Sequence, residues 1–126
     1  MTQEDKELLL KDLCARLPYG VKIQVPYEDG SGYFDETVWE VNNEGPFYVN
    51  GWGIEYEYVK PYLFPLSSIT EEQKKEYQYI TERWMNDPAY SISNSIDWLN
   101  KHHFDYRGLI EKGLALEAPE EMYKTE

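Results

Sequence analysis

Two adjacent histidines, His102 and His103, are the only imidazole side chains that the sequence offers for acid–base or metal chemistry. Neighbouring residues on a helix point about 100° apart, so the two rings cannot readily bind one metal ion. A helical zinc site would use an i, i+4 pair, which the sequence lacks. We therefore interpret His103 as a satisfied, partly buried residue near a helix end, and His102 as a ring stacked on Trp98. A general-base role for either histidine would require a cleft and a carboxylate within hydrogen-bond reach.

The other nucleophilic side chains fit no catalytic pattern. The single cysteine, Cys14, cannot form an internal disulfide, and a lone thiol favours a reducing cytoplasm. It falls on a helical stripe with Leu10, Leu13 and Leu17, which predicts that it is buried. No serine lies in a G-x-S-x-G turn, and the glycine-rich loops that bind phosphate are missing from the sequence. We therefore predict no catalytic residue, metal ligand or cofactor, although a hydrolase using two of the many carboxylates stays open.

The acidic residues are the main candidates for a functional surface. The 126 residues contain 24 acids and 12 bases, and the net charge of −12 repels phosphate backbones, so we predict no nucleic-acid binding. Residues 21–60 hold eight of the acids and two of the bases, which is a net charge of −6. Strand alternation places Glu36 with Glu40 on one face, and Glu55 with Glu57 on one face of a later strand. If the bulky residues of both strands face the helices, the four glutamates share the exposed sheet face.

Three interpretations of this acidic face remain open at the level of sequence. The first is a docking surface for a basic partner, since clustering like charges costs stability. The second is a solvated face that keeps the protein soluble and prevents edge-to-edge pairing of sheets. The third is a cation site, although no Asp-rich loop with the ligand spacing for Ca²⁺ or Mg²⁺ is present in the sequence.

Aromatic residues make up 16% of the chain, and we assign most of them to the core. The predicted core between sheet and helices contains Trp39, Tyr56, Tyr58, Tyr77, Ile80, Trp84, Trp98 and Leu99. Four other rings lie in or beside turns, where burial is harder: Tyr27, Tyr33, Tyr48 and Trp52. Exposed tyrosine and tryptophan next to acids are typical of interfaces, and such rings also stack on sugars.

The elements that position these residues are a helix followed by strands. Residues 3–16 form a predicted helix with Thr2 as its N-cap and Asp5 as its acidic partner. Four short strands follow, with side-chain alternation or turn signals at 21–25, 36–41, 47–49 and 54–59. In the second strand, the pattern assigns Thr37, Trp39 and Val41 to the inner face. Because the connections are short, the strands are expected to form an antiparallel meander.

The second half of the chain is predicted to be helical. Residues 60–69 contain two prolines and indicate an extended connector. Thr70 and Gln73 form a predicted capping box before a helix. A further helix is predicted over 93–103, with Ile92 and Ile96 on its inner stripe. Asp105 is predicted to cap a last short helix. The predicted class is thus α+β, with an N-terminal helix, a four-stranded antiparallel meander and two to three C-terminal helices on one sheet face. We expect a single domain over 1–116 and a flexible acidic tail over 117–126.

Neither a membrane span nor a signal peptide is predicted. No run of 18 apolar residues occurs, and the first twenty residues are charged throughout. We therefore expect no contact with a membrane.

Three stretches together resemble a group of small proteins from Bacteroides and related gut bacteria for which no activity is established. They read EDKELLLKDLCARLPYGVK, KPYLFPLSSITEEQ and DWLNKHHFDYRGLIEKGLALEA. The resemblance covers about half of the chain, mostly helices and the connector, and is weaker across residues 26–58. It implies a bacterial, cytoplasmic, stand-alone domain, and it carries over no catalytic residue.

The leading hypothesis from the sequence is a non-enzymatic interaction module that binds a basic protein partner, as an inhibitor or an immunity-like protein would. The predicted partner-binding residues are Glu36, Glu40, Glu55, Glu57, Tyr48 and Trp52. The alternative is a small-ligand or carbohydrate binding domain that uses the turn aromatics, and a small hydrolase is a third class. An exposed sheet edge could also pair two copies of the chain as a homodimer.

Overall fold

The computed structural model describes residues 2–38, 40–41, 46–48, 52–53, 58–83 and 88–123. It is an α+β arrangement of three helices and eight short strands in this part of the chain. The helices are α1 (Gln3–Arg16), α2 (Glu71–Arg83) and α3 (Pro88–Lys101). The strands are β1 (Lys22–Pro26), β2 (Tyr33–Thr37), β3 (Glu40–Val41), β4 (Pro46–Tyr48), β5 (Trp52–Gly53), β6 (Lys60–Pro65), β7 (Phe104–Asp105) and β8 (Leu116–Glu117).

Helix α1 begins and ends where the sequence predicts. The Thr2 hydroxyl accepts from the backbone N of Asp5, and the Asp5 carboxylate accepts from the backbone N of Thr2, which completes the capping box. The prediction that Cys14 is buried is wrong, since this side chain is exposed. The buried stripe lies one residue earlier and consists of Leu9, Asp12, Leu13 and Arg16.

Two of the buried residues in α1 are charged, which is why the sequence pattern favoured the wrong stripe. The Asp12 carboxylate accepts from Nε of Arg16 at 2.9 Å and from a guanidinium nitrogen of Arg107 at 2.8 Å. Arg16 also donates to the carbonyl oxygen of Phe104. A charge can be buried when an opposite charge and hydrogen bonds compensate for the lost water, so this network lets a polar stripe face the core.

The predicted meander is only partly present. Strands β1 and β2 pair antiparallel as expected, with Gln24 opposite Asp35. The following short strands form a separate three-stranded antiparallel sheet in the order β3-β4-β5. The predicted fourth strand lies mostly outside the described residues. Strand β6, which was predicted to be an extended connector, pairs with β1 instead.

Strand β6 makes the main sheet mixed. It pairs antiparallel with β1, and parallel with both β7 and β8. The Leu63 carbonyl accepts from the backbone N of Ala118, and the Phe64 N–H donates to the His103 carbonyl at 2.8 Å. The C=O and N–H of one peptide point in opposite directions, so β8 and β7 lie on opposite edges of β6. The described strand order β2-β1-β6-β7, with β8 also on β6, follows from this pairing.

The segment after β8 packs against the sheet, whereas residues 117–126 were predicted to be a frayed tail. The register of β1 and β6 would place Lys22 opposite Tyr62, but the Tyr123 hydroxyl lies between these two residues. It accepts from the backbone N of Lys22 at 2.9 Å and donates to the carbonyl oxygen of Tyr62 at 2.7 Å. A side chain thus replaces one rung of the ladder, which ties residues 116–123 to the sheet.

The predicted capping box of α2 is confirmed, whereas the predicted start of α3 and part of its predicted buried face are wrong. Thr70 and Gln73 form the predicted capping box before α2. Helix α3 starts at Pro88, earlier than expected, and its predicted inner residues Ile92 and Ile96 are 60% and 38% exposed. The buried residues of its second half are Ser95, Trp98, Leu99 and Asn100.

The last predicted helix is replaced by a turn region in the structure. The Asp105 carboxylate accepts from the backbone N–H groups of Leu109 and Ile110, at 2.9 Å each. It therefore caps this region as expected, and the chain turns at Gly113, whose φ is 76°.

The core has two clusters. Leu9 and Leu13 of α1 pack on Val21, Ile23 and Val25 of the sheet region, together with Leu63 and Leu109. Trp98, Leu99 and Phe104 form the second cluster, with Tyr77 and Ile80 against it. Of the predicted core aromatics, Tyr58 is 56% exposed, while Trp39, Tyr56 and Trp84 lie outside the described residues.

Candidate functional site

The orientation of β2 decides which side chains and which backbone groups face solvent. Two hydrogen bonds bracket the strand, from Tyr27 N to the Gly32 carbonyl at 2.9 Å and from Val38 N to the Val21 carbonyl at 3.0 Å. Backbone groups of alternate residues point to the same edge, so Phe34 and Glu36 also face β1. The N–H and C=O groups of the intervening residues therefore point to the other edge, where the described residues contain no further strand.

The same alternation divides the side chains between two faces. Phe34 and Glu36 lie opposite Val25 and Ile23, whose side chains are in the core, and both are half-buried. The outward side chains are those of Tyr33, Asp35 and Thr37, and we call these three residues the β2 face.

The predicted orientation of Glu36 is therefore wrong. The sequence pattern placed Thr37, Trp39 and Val41 inside, but Thr37 is exposed and Val38 is 2% exposed. A shift of one residue exchanges the two faces of a strand, so Asp35 takes the outward position that was assigned to Glu36. Glu36 and Glu40 also lie in different sheets, since Glu40 begins β3.

Asp35 is held in place on the outer face of the sheet. The Tyr62 hydroxyl donates to its carboxylate at 2.6 Å, and the side-chain amide of Gln24 donates to the same hydroxyl at 3.2 Å. Burial and the hydrogen bond to Asp35 both raise the pKa of the Tyr62 hydroxyl, so it stays a donor at neutral pH. A chain of hydrogen bonds across three strands thus fixes a carboxylate next to a sheet edge on which the described residues place no further strand.

The turn between β1 and β2 adds acidic and aromatic side chains beside this edge. Tyr27 is 48% exposed and its ring contacts Phe34, with centroids 5.0 Å apart. The Asp29 carboxylate accepts from the backbone N of Ser31 at 2.9 Å, and the hydrogen bonds from Ser31 lower its pKa. Gly30 has a φ of 76°, which is a left-handed conformation that favours glycine in a tight turn.

The remaining predicted partner-binding residues are only partly placed. Glu40 is exposed at the start of β3. Tyr48 and Trp52 lie opposite each other in β4 and β5, where the structure describes backbone pairing alone. Glu55 and Glu57 lie outside the described residues.

A groove of about 970 Å³ lies on another part of the molecule. Aromatic and apolar residues contribute to its wall, including Phe64, Phe104, Met122 and Tyr123. Lys101 and His102, at the end of α3, are among its polar residues. The sequence did not predict this groove, because the segment after residue 116 was interpreted as a tail.

Both histidines line this groove, and only one of them behaves as predicted. His102 contacts Trp98 with ring centroids 4.4 Å apart, which confirms the expected contact. His103 is 3% exposed, and its Nδ1 has no hydrogen-bond partner among the described residues. Burial and the nearby charge of Arg16 lower the pKa of His103 to about 4. A buried imidazole with so low a pKa is a weak base, so this geometry gives no support to general-base catalysis by His103.

In the described part of the chain, no group of three or more His, Cys, Asp or Glu side chains is arranged to hold a metal ion. None of the helices it describes has both the length and the apolar character needed to cross a membrane.

Comparison with known proteins adds no family assignment. No family model, curated protein or solved structure matches the chain. Function must therefore be argued from the site itself.

Proposed function

We propose that this chain is a non-enzymatic interaction domain that binds a basic protein partner through the β2 face and the adjacent turn. The observation that carries the proposal is the position of Asp35, an exposed carboxylate held by Tyr62 at the middle of β2, which is an end strand in the described order of the main sheet. A fixed charge loses little freedom on binding, and opposite charges speed the encounter of two proteins. An inhibitor or an immunity-like protein would need such a surface. We further propose that this chain acts in a bacterial cytoplasm.

The aromatic residues beside Asp35 support the same proposal. Tyr33 is 64% exposed, although tyrosine has a large apolar ring, and Tyr27 is 48% exposed in the adjoining turn. Tyrosine is enriched at interfaces because it provides a large contact area with few rotatable bonds. Glu28 and Asp29 are exposed in the same turn, so two acidic side chains lie between the two tyrosines in the sequence.

We infer that the other partner-binding residues predicted from the sequence extend this surface. We propose that Glu40, Glu55 and Glu57, with Tyr48 and Trp52, continue the acidic and aromatic contact beyond β2. Glu36 contributes from the inner side of the strand, where it is half-buried.

Affinity capture with matched variants tests this function. The wild-type chain, Asp35→Lys and a control, Glu82→Lys, are immobilised, and proteins captured from a bacterial lysate at low salt are identified by mass spectrometry. Glu82 is exposed on α2, so its reversal changes the net charge equally at another surface. The proposal expects a basic protein that wild type and the control retain and Asp35→Lys loses.

The captured protein is then purified and titrated. We expect Asp35→Lys to weaken its binding by about 10-fold or more, because an attractive charge becomes a repulsive one. Equal losses for both variants would mean that net charge alone drives binding, which contradicts a defined site on β2. Retention by all three proteins would contradict it as well.

A second candidate function, binding of a small ligand, is favoured by the groove at the end of α3. Its volume of about 970 Å³ lies within the range of ligand sites, and its aromatic walls suit an apolar or planar molecule. Thermal unfolding in the presence of a panel of sugars and aromatic carboxylates tests this candidate. A shift that is lost in Phe64→Ala supports this candidate, and no shift with any compound opposes it.

A further inference from the structure

The edge of β2 has a composition that selects what can pair with it. The backbone groups of Tyr33, Asp35 and Thr37 point to this edge, and the three side chains are exposed. An exposed edge is a template for another strand, and proteins guard such edges with charges on the strand. Here the charges are acidic on both faces, with Asp35 outward and Glu36 inward.

Pairing with a second copy of β2 is disfavoured in the register that uses the whole strand. An antiparallel two-fold arrangement of residues 33–37 would place Asp35 opposite its own copy. Like charges directly opposite each other destabilise a strand pair. The same position is favourable when the other strand carries lysine or arginine there, because the opposite charges then form a cross-strand pair.

We propose that β2 accepts an extended basic segment of the partner as an additional antiparallel strand, with a lysine or arginine opposite Asp35. This inference rests on the proposed function and specifies its partner chemistry. The added strand hydrogen-bonds the N–H and C=O groups of Tyr33, Asp35 and Thr37. A second basic residue next to the first lies opposite Glu36 on the other face. Backbone hydrogen bonds provide affinity in this mode of recognition, and alternate side chains provide specificity.

The geometry fixes the sequence of a probe peptide. The peptide acetyl-Thr-Lys-Lys-Val-Val-amide pairs antiparallel with β2, so that its first residue lies opposite Thr37 and its fifth opposite Tyr33. In this register its two lysines lie opposite Glu36 and Asp35. Its first, third and fifth residues direct their backbone groups to β2, since antiparallel partners alternate in this way. N-methylation of the third residue therefore removes an N–H from the interface. N-methylation of the second residue removes an N–H that points away, which makes it the matched control.

The test measures peptide binding and amide hydrogen exchange by NMR on the complete chain. We expect the amides of Tyr33, Asp35 and Thr37 to gain protection when the peptide is added. The amides of Phe34 and Glu36 should change little, because they already face β1. We also expect N-methylation at the third residue to weaken binding about 5-fold or more, and N-methylation at the second to leave it unchanged.

Three protein variants provide an independent test of the same contact. Thr37→Pro removes an N–H that faces the open edge, a position where strands tolerate proline. It should weaken binding about 5-fold or more, whereas Thr37→Ala should not. Asp35→Asn removes the charge and should weaken binding about 3- to 5-fold. If Thr37→Pro does not fold, the two methylated peptides give the same information without a change in the protein.

Other outcomes would overturn the inference in distinguishable ways. Equal binding of the two methylated peptides, with dependence on Asp35, would mean that only side chains make contact; the proposed function would then stand and strand addition would not. No protection at the three amides would reject strand addition, while the capture experiment would still decide the proposed function. Protection of these amides in the protein alone, with dimers in sedimentation, would assign the edge to a second copy.

Discussion

The rings of His103 and Tyr123 stack face to face, with centroids 3.7 Å apart and planes inclined by 19°. His103 follows the end of α3 and has a left-handed backbone conformation, with a φ of 59°. Tyr123 is the residue whose hydroxyl lies between Lys22 and Tyr62 in the sheet. The stack therefore joins the end of α3 to the C-terminal segment. It also holds the His103 imidazole in a buried position, where protonation is unfavourable.

The low pKa of His103 makes stability depend on pH. An unfolded histidine has a pKa of 6.5, and the buried ring has one of about 4. Between these values the unfolded chain binds a proton that the folded protein rejects, so we expect the free energy of unfolding to fall as the pH decreases from 6.5 to 4. Below pH 4 this contribution levels off. The full effect is on the order of 3 kcal/mol.

Urea denaturation of wild type and His103→Asn at several pH values measures this contribution. Asparagine tolerates the left-handed conformation and does not titrate. Carboxylates titrate in both proteins, so the difference between the two pH profiles reports His103. Parallel profiles between pH 6.5 and 4.5 would contradict the assignment of the low pKa.

Tyr123→Phe tests the inserted rung of the sheet. The substitution keeps the ring but leaves the backbone N of Lys22 and the carbonyl of Tyr62 without their partner. We expect a loss of about 1–3 kcal/mol in the free energy of unfolding, and faster amide exchange at Lys22. Tyr33→Phe, at a 64% exposed position, is the control and should change stability little. Equal stability of the two variants would argue against this role for the hydroxyl.

Asp12→Ala tests the buried charge network of α1. Asp12 and Arg16 both have fully buried side chains, so removal of the carboxylate leaves a guanidinium without its counter-charge. Breaking such a pair costs about 3–5 kcal/mol. Lys11→Ala, at the adjacent exposed position, should change the free energy of unfolding by less than about 0.5 kcal/mol. A small effect of Asp12→Ala in denaturant titration would mean that water, rather than Asp12, compensates Arg16.

Cys14 gives a direct test of the face that α1 buries. The thiol is exposed, so a maleimide reagent should label the native protein to about one equivalent without denaturant. Labelling that requires urea would mean that α1 is rotated towards the stripe predicted from the sequence.

Local signals were predicted correctly because their causes lie within a few residues. The capping boxes at Thr2 and Thr70 each depend on a side chain three positions along the chain, and both are present. The β1–β2 hairpin is equally local, since the turn at Asp29 and Gly30 separates two alternating segments.

Two of the errors, in α1 and in β6, have nonlocal causes. The face of α1 depends on Arg107, which is 95 positions from Asp12, and no helical periodicity reveals that ion pair. Strand β6 contains two prolines and was interpreted as a connector, but it pairs with three other strands. In β2, the inward positions were assigned from residues beyond the end of the strand at Thr37. The sequence pattern therefore selected Glu36 instead of Asp35 for the outer face of β2.

The hydrogen bond from Lys22 to Tyr123 joins positions 101 residues apart. Contacts of such separation slow folding, because a long loop must close before they form. During translation, the gap between β1 and β6 can be filled only after Tyr123 has left the ribosome. Until then the nascent chain has a sheet with a missing rung, and its folding should be completed only after residue 123 has been released.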